Sequence, residues 1–376
     1  MTKHKKQAKS HRGISRAFVV ILLIIILVII VSFLPEAIVP EKIKPGYEYL
    51  VEVRNKLTTT VKEKTGLDDT DQFGRAAGGN SVSVCSFHIP SLGDTKSKEN
   101  GALAYVLREF DIVVIQGLVA PPFPMKFPDG RPVKPADEAR DFFNAMLIYG
   151  FEYELSLEDT GPGERIHRNK TSTEWWVTFY KDDRVKVATD LPRGYLAGDR
   201  SNHSDYDRVP HAFAFRTIND SLDFVLVSVH LRAGSSERDT SRKKHELAAA
   251  KAWIDANNTT EKDFIVLGDM NIEENNELST VTPFGFHSLN DECRPTNTDI
   301  SSPRPNSHVM YNPLQIQELD KTFDLQIVDL IAALEELWRK EDPYPGEPYV
   351  HDRFIKYYSP YQPIVFRLTV PAKDDD

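Results

Sequence analysis

The segment Phe264–Ile272 constrains the fold more than any other part of the chain. It begins with four apolar residues, a pattern typical of a buried strand, and it ends in Gly268, Asp269, Met270 and Asn271. Because side chains alternate between the two faces of a strand, we expect Asp269 and Asn271 on one face and Met270 on the other, toward the core. A carboxylate and an amide delivered together by a buried strand predict a functional site at the edge of a sheet.

Apolar runs of strand length recur from Ser81 onward, and one of them carries His230 at its end. The predicted strands are Val82–Phe87, Ile112–Ile115, Trp175–Phe179, Ala212–Phe215, Phe224–Val229, Phe264–Leu267 and Ile364–Leu368. Helical spacing of apolar residues predicts helices over Ala102–Phe110, Ala136–Tyr149 and Arg242–Ala256. Strands mixed with helices over this length favour a large α/β sandwich.

Composition narrows the class of partner. With 376 residues and 40% hydrophobic content, the chain is long enough to bury a large core. Its formal net charge of -10 disfavours binding to nucleic acid, because nucleic-acid-binding proteins usually present a basic face. A small phosphorylated substrate remains compatible with that charge. The 2 cysteines, Cys85 and Cys293, are too few for a disulfide framework.

The N-terminal segment Ala17–Leu34 is almost wholly aliphatic. At about 1.5 Å per residue it nearly spans a bilayer core of about 30 Å. Six basic residues precede it, namely Lys3, Lys5, Lys6, Lys9, Arg12 and Arg16. The positive-inside rule therefore places the N-terminus in the cytoplasm and the main domain outside it. Since Pro35-Glu36 offers no small-residue cleavage site, we expect an uncleaved anchor and a single-pass membrane protein.

These patterns divide the chain into five parts. We predict a basic cytoplasmic tail over 1–16, a transmembrane anchor over 17–34, a stalk and linker over 35–80, the main domain over 81–370 and an acidic tail over 371–376. Within the stalk, Gly46–Gly66 has helical apolar spacing that suits a stalk helix or a partner face. The sequence does not identify a protein partner.

Seven short motifs follow one another along the main domain. They are Ser86-Phe87-His88-Ile89, Asp111-Ile112-Val113-Val114-Ile115-Gln116, Thr173-Glu174-Trp175-Trp176, Ser228-Val229-His230, Gly268-Asp269-Met270-Asn271, Ser307-His308-Val309-Met310 and Ser359-Pro360-Tyr361-Gln362-Pro363. In order and spacing they resemble the endonuclease/exonuclease/phosphatase superfamily, the metal-dependent phosphodiesterases related to pancreatic deoxyribonuclease. The resemblance covers about Ser81–Leu368 and implies a four-layer sandwich of two packed mixed sheets flanked by helices.

The resemblance also implies a site, and four positions match it: Glu174, His230, Asp269 and Asn271. In active members of the family the histidine contacts the scissile phosphate, the glutamate orients that histidine, and the Asp-x-Asn pair positions the attacking group. A Mg²⁺ or Mn²⁺ ion, held by asparagine, glutamate and aspartate ligands, neutralises the phosphate while a base activates water.

The chain departs from the family at the metal-binding positions. His88 stands where the family has asparagine, Gly117 where it has the ligand glutamate, and Ser307 where it has an aspartate. Pro360 and Tyr361 replace a final aspartate–histidine pair. Most of the charge that attracts a divalent cation is therefore missing. The sequence favours a catalytically impaired member that acts in binding or scaffolding, with a cleft suited to a phosphorylated or anionic small ligand.

Other interpretations stay open at this point. The chain could be an active metal-dependent phosphodiesterase or phosphatase with a rearranged metal site, in which case Mg²⁺ or Mn²⁺ is its cofactor and His88, Asp269 and Asn271 are candidate ligands. His88, His230 and Asp269 could instead bind a softer ion such as Zn²⁺. Strand alternation turns His308 away from the face of Ser307 and argues against its inclusion. His351-Asp352 is a second candidate for the final aspartate–histidine pair.

Overall fold

The computed structural model describes residues 80–94, 97–128, 130–160, 174–198, 204–259, 261–335, 337 and 350–374. The anchor predicted over 17–34 and the helix predicted over 46–66 lie outside these residues. Within the described ranges, none of the helices combines the length and the apolar character needed to cross a membrane.

The described residues form strands and helices in mixed order. The strands are β1 Ser81–Leu92, β2 Ile112–Leu118, β3 Met125–Lys126, β4 Pro132–Val133, β5 Glu152–Leu155, β6 Trp175–Tyr180, β7 Val185–Val187, β8 Gly194–Tyr195, β9 His211–Thr217, β10 Asp223–His230, β11 Phe264–Asp269, β12 His287–Ser288, β13 Ser307–Tyr311, β14 Gln326–Ile327 and β15 Ile364–Thr369. The helices are α1 Asn100–Leu107, α2 Asp137–Ile148, α3 Glu237–Asn257, α4 Asn275–Val281, α5 Leu330–Glu335 and α6 His351–Tyr357.

These strands build two large mixed sheets. The first sheet has the order β14-β15-β1-β2-β6-β5, and the second has the order β12-β13-β11-β10-β9-β7 with β8 also paired to β9. The pairs β1–β2 and β10–β11 are parallel, and the other neighbouring strands of both sheets are antiparallel. The expected α/β fold with two mixed sheets is confirmed.

Three hydrophobic cores separate the layers. One lies between the first sheet and helices α1, α2, α5 and α6. A second lies between the second sheet and helices α3 and α4. The third, between the two sheets, takes side chains from the inner faces of both, for example Val84 and Ile112 from the first and Leu226 and Leu267 from the second. The sandwich therefore stacks helices, sheet, sheet and helices, which agrees with the expected layering.

The seven predicted strands and three predicted helices all occur, with shifted ends. The largest shifts are at the end of β1, which runs to Leu92 rather than to Phe87, and at the start of α3, which begins at Glu237 rather than at Arg242. The α3 shift has a local cause. The first turn of this helix is polar and shows no apolar spacing, so periodicity does not reveal it. The turn is stabilised by Ser236, whose side chain accepts a hydrogen bond from the backbone N–H of Asp239 at 3.3 Å.

Candidate functional site

Strand alternation gathers polar side chains at one end of the inter-sheet core. In β1, Val84 points into that core, and Ser86 and His88 follow it on the same face. In β11, Leu267 points into it and Asp269 follows on the same face. Polar residues also end this face on other strands, namely Gln116, Ser228, His230 and Ser307. The two sheets thus meet through polar contacts at this end, and these side chains form the candidate site.

His88 and Asp269 join the two sheets directly. His88 Nδ1 lies 2.6 Å from Asp269 Oδ2, and the two side chains are almost fully buried. The other carboxylate oxygen of Asp269 accepts the backbone N–H of Asn271 at 3.1 Å. Tyr361 stacks on the His88 ring with a centroid separation of 4.4 Å, and it lies close enough to Asp269 for the carboxylate charge to raise the pKa of the tyrosine. The Asp269 carboxylate is therefore engaged at both of its oxygens.

Glu174 organises the other half of the site. Its Oε1 lies 2.8 Å from Nδ1 of His230 and 3.3 Å from Nε of Arg208. Its Oε2 accepts the backbone N–H of Gly117 at 3.1 Å. Arg208 also donates to the carbonyl oxygen of His230 at 3.4 Å. The Nδ1 of His230 is thus fixed by a carboxylate, and its Nε2 is left facing Asp269 at 3.7 Å.

The two halves form one cluster. The rings of His88 and His230 contact each other edge to face, with centroids 4.4 Å apart. His230 and Asp269 are also register partners in the parallel pair β10–β11. Ligand atoms of His88, His230 and Asp269 all lie within 4.8 Å of one another. Of the predicted site residues, Glu174, His230, Asp269, His88 and Tyr361 come together in this cluster.

The two carboxylates of the cluster are charged at neutral pH. Burial would raise the pKa of Glu174, but the charges of His230 and Arg208 and the hydrogen bond from His230 outweigh it, so that pKa lies well below its usual range. Burial would also raise the pKa of Asp269, but the charge and hydrogen bond of His88 outweigh it and lower that pKa.

His230 and Tyr361 favour their neutral forms. Burial lowers the pKa of His230 against the opposing influence of Glu174. Burial, with the charge of Asp269, raises the pKa of Tyr361 well above its usual range. The Tyr361 hydroxyl therefore keeps its proton at neutral pH.

Gly117 contributes to the site through its backbone. It has a φ of 91°, and an added Cβ would collide with the carbonyl oxygen of Ile89 and lie 2.9 Å from Cδ2 of His88. The pairing of β2 with β6 is interrupted at this point. The irregular backbone directs the Gly117 N–H to Glu174, so the residue that lacks a carboxylate helps to hold one that belongs to the site.

Asn271 lies beyond the end of β11, so the alternation of that strand does not decide where its side chain lies. The strand ends at Asp269, and Asn271 has a φ of 50°. Its amide donates to the carbonyl oxygen of Leu231 at 3.1 Å, and its side-chain oxygen accepts from Asn306 at 3.2 Å. Asn271 therefore contacts the site through its backbone N–H on Asp269. Met270 packs in the helix-facing core, as expected.

The final motif is placed by Ser359, which the sequence reasoning did not identify. Its hydroxyl donates to the carbonyl oxygen of His88 at 2.6 Å and accepts the backbone N–H of Tyr361 at 3.0 Å. This contact brings Tyr361 onto the His88 ring. His351 and Asp352 instead begin helix α6. A short polar residue before a proline gives no sequence signal strong enough to predict this role.

His308 points away from the cluster, as alternation predicts. It is fully buried, its Nε2 lies 3.3 Å from the carbonyl oxygen of Ile272, and its Nδ1 lies 3.1 Å from the hydroxyl of Ser288. A carbonyl oxygen can only accept, so Nε2 carries the proton and Nδ1 accepts from Ser288. Burial lowers the pKa of His308 to about 4.

This buried histidine predicts acid sensitivity. Because the pKa of His308 is about 4 in the folded protein and 6.5 ordinarily, the unfolded chain takes up the proton first as the pH falls. The stabilisation is complete above about pH 6.5 and is lost toward about pH 4, by on the order of 3 kcal/mol. Denaturant unfolding across this interval should show that His308→Gln removes the corresponding part of the pH dependence. The exposed-histidine variant His287→Gln should keep the wild-type profile, and equal slopes in His308→Gln and wild type would contradict the prediction.

Magnesium and manganese do not fit the donor set of this cluster. Mg²⁺ requires near-octahedral coordination, usually by carboxylate and other oxygen ligands. Of the three side chains that converge here, two are imidazoles and one is a carboxylate. The Asp269 carboxylate is held by His88 and by the backbone N–H of Asn271. The cluster therefore does not support a catalytic step through a magnesium ion.

Comparisons with known proteins give structural matches only, since no protein-family model and no curated protein sequence matches the chain. It resembles an endonuclease/exonuclease/phosphatase family protein from Bacteroides thetaiotaomicron, with 14% identity over 77% of this chain and 97% of that one and a TM-score of 0.45. It also resembles the human Nocturnin catalytic domain with bound sulfate anion, with 13% identity over 78% and 96% of the two chains and a TM-score of 0.46. A mannosyl-6-phosphatase from Bacteroides thetaiotaomicron shows 13% identity over 76% and 98%, with a TM-score of 0.46.

Proposed function

We propose that this chain is a membrane-anchored member of the endonuclease/exonuclease/phosphatase superfamily that binds a phosphorylated or anionic small ligand without Mg²⁺-dependent hydrolysis. Membership is supported by the convergence of motifs that are far apart in the sequence: His88, Glu174, His230, Asp269 and Tyr361 meet in one cluster. The anchor over 17–34 holds the domain at the outer face of the membrane, as the basic N-terminal tail favours.

One observation carries the loss of magnesium chemistry. The Asp269 carboxylate, which matches a family position, is engaged by His88 and by the N–H of Asn271, and Tyr361 stacks on the His88 ring beside it. A hard divalent cation would have to displace these donors. The additional carboxylates that normally offset the free energy of removing water from the ion are missing. Electrostatic stabilisation of the phosphate is usually the largest contribution to such catalysis, so its removal lowers turnover by orders of magnitude.

Ligand binding is supported by the charged and polar side chains around Glu174. Arg208 lies against Glu174 and His230 and retains partial exposure, with 15% of its side chain accessible. A guanidinium and an imidazole side by side suit a phosphate or another compact anion. The net charge of the chain is negative, which favours a small ligand over a polyanion.

The proposal predicts that the purified full chain has no saturable Mg²⁺ or Mn²⁺ site and hydrolyses a chromogenic phosphodiester no faster than His230→Ala. Calorimetric titration and a turnover assay with each metal test this. Inorganic phosphate should bind, and Arg208→Gln should weaken that binding roughly 10- to 100-fold, since a hydrogen bond to a charged group contributes about 1.5–3 kcal/mol. The exposed-arginine variant Arg140→Gln is the matched control. Metal-dependent turnover that disappears in His230→Ala would refute the proposal and establish a hydrolase with a rearranged site.

A further inference from the structure

His88, His230 and Asp269 bring two imidazoles and one carboxylate to a single point between the sheets. His88 Nδ1 lies 2.6 Å and His230 Nε2 lies 3.7 Å from the same atom, Oδ2 of Asp269. Ligands about 2.0–2.1 Å from a tetrahedral zinc ion lie about 3.3 Å apart from one another. The two observed separations bracket that value, so small side-chain movements are sufficient to admit an ion once the proton of His88 Nδ1 is released to solvent or moved to Nε2.

We propose that His88, His230 and Asp269 form a binding site for a late first-row transition-metal ion of the zinc class. Imidazole suits zinc, copper, nickel and iron, whereas it is a poor ligand for magnesium. Three protein ligands leave a fourth position, which a water molecule or an anion can occupy. The exchange of the family's asparagine for His88 thus changes the metal that the site selects, rather than only removing a ligand.

The surroundings of His230 support this assignment independently. A histidine that binds a metal through one ring nitrogen usually donates the other N–H to a carboxylate, which fixes the orientation of the ring. Glu174 accepts from Nδ1 of His230 at 2.8 Å and leaves Nε2 directed toward Asp269. Glu174 is itself fixed by Arg208 and by the N–H of Gly117. This outer set of contacts is in place in the folded protein.

The burial of the three side chains adds a further argument. His88 is 5% exposed, His230 9% and Asp269 0%. Such a site excludes the competing hydration that weakens metal binding at a surface. Binding of the ion does not depend on the proposed ligand role, because it requires the side chains of this cluster and no anion.

The test uses the full chain, stripped of metals with a chelator and then titrated with Zn²⁺ by calorimetry and with Co²⁺ by visible absorption. We expect saturation by one ion of Zn²⁺ at this cluster, and Co²⁺ d–d bands typical of low coordination with nitrogen ligands. His88→Asn should reduce Zn²⁺ affinity by more than the roughly 10- to 100-fold that loss of an outer partner causes, and Glu174→Gln should fall within that range. His287→Ala, which removes an exposed histidine, should bind as the wild type does.

The outcomes separate this proposal from the previous one. Absence of both the Zn²⁺ heat and the Co²⁺ bands in the wild-type chain would overturn the metal site and leave the phosphate-binding role intact. Equal Zn²⁺ affinity in wild type and His88→Asn would also overturn it. Asp269→Asn replaces His88→Asn if circular dichroism shows that the latter is unfolded. Zn²⁺ binding accompanied by phosphodiester turnover would support the metal site and refute the non-hydrolytic function.

Discussion

Replacing Gly268 with alanine is expected to prevent stable folding of the domain. Gly268 has a φ of 142°, and an added Cβ would collide with the carbonyl oxygen of Val229 on the neighbouring strand β10. The collision cannot be relieved by rotating a side chain, because the contact is with backbone. Backbone strain and overpacking together should destabilise the protein by roughly 3–6 kcal/mol. That is comparable with the total stability of many domains, about 5–15 kcal/mol.

The same substitution should also disrupt the site. Gly268 and Val229 are register partners one position before Asp269 and His230, so any separation of β10 from β11 moves these two side chains apart. Equilibrium unfolding in denaturant measures the first effect and Zn²⁺ titration measures the second. The control is Gly101→Ala in α1, where nothing lies within 4 Å of an added Cβ. We expect Gly101→Ala to be neutral or stabilising by about 0.5–1 kcal/mol, and a similar stability for both alanine variants would contradict the argument.

The sequence predicts the sheets well because apolar runs of strand length report directly on burial. Leu267, for example, lies in the inter-sheet core, and the adjacent Val266 packs against α3 on the opposite face. A strand covered on both faces reads as a continuous apolar run, which periodicity identifies without knowledge of its neighbours. The short strands β3, β4, β7, β8, β12 and β14 carry no such signal and were not predicted. Their two or three residues depend on the longer strands that they pair with.

The sequence predicts the part of the site that depends on strand alternation, and it does not predict the part that depends on irregular backbone geometry. Alternation correctly separates Ser307 from His308 and places His88 and Asp269 on facing surfaces. It does not extend to Asn271, because β11 ends at Asp269 and Asn271 has a positive φ. It also does not reveal that the N–H of Gly117 would bind Glu174, since that contact depends on the interrupted pairing of β2 with β6.

This geometry determines what a carboxylate introduced at Gly117 would do. Introducing a glutamate at Gly117 would require a Cβ where the carbonyl oxygen of Ile89 lies, and it would remove the positive φ that aims the N–H at Glu174. The carboxylate would therefore be added at the expense of the contact that orients His230. Restoration at this position needs a compensating change in β1, and the absence of a gain in Mg²⁺ affinity would not by itself refute the motif alignment.

Replacing Lys243 with methionine is expected to destabilise the protein by about 3–5 kcal/mol. Lys243 is fully buried on α3, where its ammonium group contacts the carbonyl oxygen of Asn271 and lies 2.7 Å from Oε1 of Glu277. Glu277 also accepts from the hydroxyl of Thr240 and from the backbone N–H of Glu273. Methionine fills the same space but leaves the Glu277 charge buried without its cation. Denaturant unfolding at neutral pH measures the loss.

The effect should extend to the site, because Lys243 fixes the backbone of Asn271 and Asn271 donates its N–H to Asp269. We therefore expect Lys243→Met to weaken Zn²⁺ binding as well as to lower stability. Lys251→Met is the matched control on the same helix, since its pair with Asp255 is solvent-accessible and contributes at most about 0.5 kcal/mol. The double variant Lys243→Met, Glu277→Gln should recover most of the stability, because no buried charge is then left without its cation. Recovery of stability without recovery of Zn²⁺ affinity would show that the lysine positions the Asn271 backbone in addition to neutralising Glu277.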